Sequence, residues 1–139
     1  MTDSNKATVV NAVSETLTAT DAVLRRTQLA HWNVTGPQFF GLHAALEEQY
    51  TDLFAAVDAL AERIRALGQL VPSDYASGFS AGSADVIDGL VDAHEDALGK
   101  FDRGAKAASD AGDEVTAGLM LDRLDFHQKT LWMLKATKG

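Results

Sequence analysis

The chain is expected to be all-α, an up-and-down bundle of four long helices with one extended connection between the second and the third. Three observations predict this. Apolar residues recur at intervals of three and four along four stretches of about twenty-five residues, strand signals are missing, and only two prolines interrupt the 139 residues. A hydrophobic content of 46% suffices for one continuous core at this length, so residues 1–139 read as a single domain.

The first helix spans roughly residues 5 to 33, where Val10, Val13, Leu17, Thr20, Leu24, Gln28 and His31 advance along one face. A break follows at Asn33 to Pro37. Thr35 and Gly36 are expected to cap there, with Pro37 in the first turn of the next helix, whose amide needs no partner. The second helix carries Phe39, His43, Leu46, Tyr50, Leu53, Val57, Leu60, Ile64 and Leu67, and Gly68 stops it. Residues 69 to 83 mix Pro, Gly and Ser with Val71, Tyr75 and Phe79, which predicts a crossover loop holding one short helical turn, its aromatic side chains packed. Ser83 is the expected cap of the third helix, whose stripe is Ile87, Val91, His94, Leu98, Phe101, Ala105 and Ala108. Gly112 and Asp113 punctuate the next boundary, and Thr116, Met120, Leu124, His127, Leu131 and Leu134 define the fourth helix. A long second-to-third connection with a short helix in it is the ferritin-like form of the four-helix bundle.

Composition narrows the chemistry. Without cysteine there is no disulfide scaffold, no thiol catalysis and no Cys-ligated zinc or iron–sulfur site, so any metal must be held by His, Asp and Glu. The opening MTDSNKATVV lacks a basic start followed by an apolar run, and no stretch approaches ~18 consecutive apolar residues, so the expectation is a cytoplasmic protein with no membrane association. Twelve basic against twenty acidic residues give a net charge of −8, which repels phosphate backbones and attracts cations; direct DNA binding is not expected.

All four histidines, His31, His43, His94 and His127, fall on apolar stripes, where each alone is ordinarily a hydrogen-bonded core residue. His43 has company. Glu47, Asp58 and Glu62 follow it within an arc of ~100° on one side of the helix, and three carboxylates beside an apolar stripe are costly to bury unpaired. They cannot serve one metal within one helix, since His43 and Glu62 lie ~28 Å apart along the axis. The positions of His43 and Glu62 do, however, centre on the same point, near residues 52 and 53, as those of Glu47 and Asp58. Two copies of this helix packed antiparallel about a two-fold axis would therefore bring both pairs level. His31 joins through the hairpin, being six residues before Pro37 as His43 is six after. One level then collects His31, His43 and Glu47 from one chain with Asp58 and Glu62 from its mate, a hard, oxygen-rich set suited to Fe(II), with Zn, Mn or Co as substitutes. Read otherwise, Asp58 and Glu62 are a solvated face beside Arg63 and Arg65. A di-iron centre inside one subunit would use Glu-x-x-His on two helices; the residues three before the histidines are Gln28, Phe40, Val91 and Leu124, none of them Glu.

HWNVTGPQFFGLH at 31–43, the Asp58-x-x-x-Glu62 segment continuing as AERIRALG, and HQKTLWML at 127–134 resemble the Dps family, the miniferritins named as DNA-binding proteins from starved cells. The resemblance covers nearly the whole chain. It implies a hollow shell of twelve subunits, oxidation of Fe(II) preferentially by hydrogen peroxide at two-fold interfaces, and storage of ferric mineral inside, a ferroxidase activity that limits oxidative damage. By position it marks His31, His43, Glu47, Asp58 and Glu62 as the ferroxidase ligands, Glu47 standing where many members have Asp. Trp32 resembles the family's tryptophan beside the site, an electron donor there or a plain packing residue. Residues 85 to 125 hold eleven acids and four bases; Asp110, Asp113, Glu114 and Asp122 are candidates for a pore, although Gly118 stands where relatives often carry an acid. The alternative function is a nucleoid-associated protein that compacts DNA. Against it, the ends lack a basic arm, with Lys6 beside Asp3 at one and Lys135 and Lys138 at the other.

Overall fold

The computed structural model describes residues 1–80 and 85–139. Its four helices are α1 (Asp3–Asn33), α2 (Phe39–Ala66), α3 (Val86–Asp110) and α4 (Glu114–Lys138), with a short 3-10 helix at Tyr75–Gly78 in the crossover. Each bundle helix starts within about two residues of its expected start, and α4 runs four residues past Leu134, the last of its stripe. Side-chain caps account for three of the starts: Thr2 accepts from the Asn5 amide at 3.1 Å, Asp85 from Asp88 at 2.9 Å, and Asp113 from Thr116 at 3.0 Å. Ser83 lies outside the described residues, and the capping oxygen of α3 belongs to Asp85.

The start of α2 differs from expectation. Gly36 takes φ +103° and its carbonyl accepts from the Phe39 amide at 3.1 Å, so Pro37 and Gln38 become the centre of a turn and the helix begins only after them. Gly68, at φ +92°, ends α2 as expected.

Helices α1 and α2 form one hairpin, α3 and α4 the other, and α1 packs on α3 to join them; α2 and α4 scarcely touch. Between those two runs an open groove of about 710 Å³, with Gln49 and Thr130 among its lining residues. Asp52 and Arg123 span it through an ion pair of 2.7 Å. The crossover lies on α1 and packs Val71 and Tyr75 against the core, while Phe79 lies under the Arg25 guanidinium. Its approach is close: a Cβ on Gly78 would stand 2.7 Å from Thr18 Cγ2 and 3.2 Å from the Thr18 carbonyl oxygen.

The core comes in two parts. The larger includes Leu17, Leu24, Leu53, Leu60, Ala97, Phe101 and Met120; the smaller is built from Ala30, Val34, Leu46, Leu90 and Leu134. Between them every helix buries polar residues: Thr27, Gln49, His94, and the pair His127 and Thr130. His94 and His127 are fully buried, their Nδ1 atoms 2.8 Å apart. One ring must donate there and the other accept, which sets opposite tautomers in the two neutral rings. Burial pushes His94 down to about 4, with the Arg123 charge adding to it. His127 falls to about 2 through burial, then through His94 and Arg123.

Because both histidines are held below their ordinary value, the unfolded chain takes up protons first, and the stability of the neutral pair, whole above about pH 6.5, drains away below it at ~1.4 kcal/mol per pH unit for each ring. Denaturant unfolding of the His94→Leu, His127→Leu chain should therefore lose less stability than wild type between about pH 6.5 and about pH 4.5; equal losses would contradict this. Gly78→Ala should cost about 1–3 kcal/mol, because the added Cβ meets the backbone carbonyl of Thr18 as well as its methyl group, and the backbone of a packed helix cannot move aside. Gly118→Ala on the open face of α4, where a Cβ meets nothing within 4 Å, should leave the melting temperature unchanged or raised.

Candidate metal centre

The last four carbonyls of a helix have no amide of their own helix to bond. In α1 the Ala30 carbonyl is taken by Val34 at 2.9 Å, and that of His31 by the Nδ1–H of His43 at 2.7 Å. The contact is reciprocal: His31 Nδ1–H donates to the His43 carbonyl, also at 2.7 Å. A carbonyl only accepts, so Nδ1 is the protonated nitrogen in both rings, and each neutral imidazole keeps its lone pair at Nε2. This is the tautomer a metal-binding histidine needs, with the second nitrogen anchored to a backbone oxygen. The rings stack at 3.8 Å and 11°, Phe39 covers His43 at 5.1 Å, and the Tyr50 ring meets His31 edge to face at 5.3 Å. His31 is 6% exposed and His43 half-buried.

Glu47 lies exposed one turn beyond His43. Asp58 and Glu62 are exposed near the far end of the same helix, where the neighbouring Asp58 carboxyl raises Glu62 through a hydrogen bond and like charge. The arginines beside them are committed elsewhere: Arg63 to Asp113 at 3.3 Å and to Thr116 at 2.8 Å, Arg65 to the Gln69 carbonyl at 2.9 Å. One chain thus brings His31 and His43 together, with Glu47 following, and leaves Asp58 and Glu62 as a separate pair. Among the described residues no group of three or more His, Asp or Glu side chains is gathered tightly enough to hold a metal ion.

Other candidates move. Asp113 is not open to a pore: it caps α4, is 8% exposed and receives Thr116 and Arg63. Burial alone would raise its carboxyl, but the bonds from Thr116 and Arg63 outweigh that and hold it low. Glu114 accepts from Ser109 at 3.0 Å. Asp110 and Asp122 are exposed. His94 and His127 are core residues facing Arg123, a poor setting for a cation. Tyr50 figures in the sequence only as a stripe residue, although its position three after Glu47 and seven after His43 was a usable signal.

The fold and the paired imidazoles define a ferritin-like protein, and residues 11–138 match the ferritin-like domain family. A DNA protection during starvation protein of Brevibacillus brevis is 34% identical over 117 residues, covering 76% of this chain and 78% of its own. The crystal structure of the Dps protein from Vibrio cholerae O1, described as a member of a broad superfamily of ferritin-like diiron-carboxylate proteins, superposes with a TM-score of 0.88 at 32% identity, covering 98% of this chain and 92% of its own. Dps from Thermosynechococcus elongatus gives 0.89 at 30% identity, over 98% and 93%. The chain belongs to the Dps family.

Proposed function

We propose that this protein is a ferroxidase and iron store that oxidises Fe(II) with hydrogen peroxide at di-iron sites shared between subunits and keeps the ferric mineral inside a shell of twelve. The observation that carries it is the reciprocal bond between His31 and His43, which presents two Nε2 lone pairs from one chain. Asp58 and Glu62 of the symmetry mate complete the set, with Glu47 beside the histidines. Two isologous sites per pair follow from the two-fold axis. Carboxylates favour Fe(III) over Fe(II), because they neutralise the charge that oxidation adds. Two Fe(II) give one electron each to one peroxide, its O–O bond breaks, and two protons complete two waters. Fe(II) and peroxide are thus removed together, without release of hydroxyl radical.

Two further features support the reading of an iron protein over a DNA-compacting one. The net charge of −8 multiplies over a shell and draws cations. Near the C-terminus, Lys135 lies 3.2 Å from Glu95, and Lys138 pairs with Asp88 and Asp85, so both offer phosphate little free charge. No helix among the described residues is long and apolar enough to cross a membrane, in keeping with a role in the cytoplasm.

Complementation tests the shared site. His31→Asn and His43→Asn in one variant delete Nε2 while leaving an N–H for the facing carbonyl; Asp58→Asn and Glu62→Gln in the other delete the carboxylates. Each alone should assemble and oxidise Fe(II) slowly. Unfolded together and refolded in equal amounts, they should regain about a quarter of wild-type sites, since histidine donor and carboxylate donor must each come from the right chain. No rescue despite mixed assemblies of the mass of the shell would rule out sharing. The protein should also fail to retard duplex DNA at physiological salt without added divalent metal, and a salt-sensitive gel shift would count against that.

A further inference from the structure

The two bonds that join His31 to His43 fix the direction of the rings but do not by themselves hold them still. A half-buried imidazole on a helix has other staggered positions open to it, in which water replaces the carbonyl as the partner of Nδ1. His31 has little such freedom, being 6% exposed with the Tyr50 ring set edge-on against it at 5.3 Å. His43 is the more open member of the pair. Its ring lies on that of His31 at 3.8 Å and 11°, and Phe39 stacks on it as well, at 5.1 Å and 20°. One face of so small a ring has room for one stacked partner, so His31 and Phe39 take opposite faces and His43 lies between them.

Phe39 is itself held in place. It is the first residue of α2, four before His43 and therefore on the same side of the helix. Its amide bonds to the Gly36 carbonyl at 3.1 Å, and its ring packs against the smaller core cluster and meets Phe40 edge to face at 5.6 Å. We propose that Phe39 is a positioning residue of the metal centre, closing the free face of His43 so that both Nε2 atoms stand in place before a metal arrives; this rests on the ferroxidase reading above. Phe39 has no donor atom and acts only through His43. Without its ring, His43 would have to be ordered again whenever a metal binds, and the lost entropy would come out of the affinity. Leucine at position 39 keeps apolar bulk without a flat surface, whereas tyrosine keeps the flat surface.

Assembled protein titrated with Co(II) tests this, with affinity read by calorimetry and ligand geometry by the visible absorption of the bound ion. Phe39→Leu should bind Co(II) about tenfold more weakly or worse, the loss usual for a group that orients a ligand, and its absorption bands should change. Phe39→Tyr should restore both. A merely structural role would lower the melting temperature of Phe39→Leu and leave the affinity and spectrum of the folded protein as in wild type; that result overturns the proposal, as does failure of Phe39→Tyr to restore them. Should Phe39→Leu not assemble, the metal-free wild type decides: its crystal structure is expected to show His43 in one conformer, with Nδ1 on the His31 carbonyl, and a second conformer beneath Phe39 overturns the proposal. Failure of wild type to bind either Co(II) or Fe(II) would overturn the ferroxidase reading and the role of Phe39 with it. Binding by wild type with an unchanged Phe39→Leu overturns that role alone, which separates the two failures.

Discussion

Two hydrogen bonds of 2.7 Å, each from an imidazole to the backbone carbonyl of the other histidine, join α1 to α2 where the candidate site begins. They depend on a local fact of helix geometry: α1 stops at Asn33, so the His31 carbonyl is left without an amide. Val34 leaves the helix in an extended conformation, Gly36 then turns the chain at positive φ, and Pro37 and Gln38 form the turn that leads into α2. Each neutral bond is worth about 0.5–1.5 kcal/mol, a modest gain for folding. Their larger effect is directional, because fixing Nδ1 as donor in both rings leaves Nε2 as the ligand atom in both.

The remainder of the bundle keeps that hairpin straight while leaving α2 open. Helix α1 is covered on two sides, by α2 and α3, and the crossover closes a third; α2 makes few contacts with α4. Exposed along α2 are Phe40, Glu47, Phe54, Asp58 and Glu62, apolar and acidic side chains that a monomer has no reason to present together. In the proposed assembly that face meets its own copy. The polar layer of Thr27, Gln49, His94, His127 and Thr130 lies between the two parts of the core, and its histidines stay neutral because burial disfavours the charged ring, with the Arg123 charge adding to it.

Charge is distributed with equal economy. Arg63, which the sequence leaves as a possible partner of Asp58 and Glu62, reaches instead across to Asp113 and Thr116, some fifty residues away. That one ion pair both secures the joint between α3 and α4 and takes Arg63 away from Asp58 and Glu62, and the hydrogen bond and like charge of Asp58 raise Glu62. A half-site in that condition is suited to a metal ion supplied from outside.

Periodicity alone determined four helices, their order, the long crossover with its short helix, and the facing of His31 and His43, since each follows from residue spacing on a regular helix and an antiparallel hairpin. The family was legible for the same reason, its motifs being short and contiguous around those residues. Tertiary structure decided what spacing cannot carry. Pro37 lies in a turn and not in the first turn of α2 because of the positive φ at Gly36; Asp85 caps α3 through its own oxygen; Asp113 is a buried cap because Arg63 comes to it from another helix. The proton positions on His31 and His43 depend on a carbonyl exposed by a helix end, and the approach of Tyr50 to His31 on how closely two helices pack. Each of these is a contact between atoms distant in the chain or a backbone conformation at one residue, and hydrophobic periodicity, which records only which side of a helix is buried, contains neither.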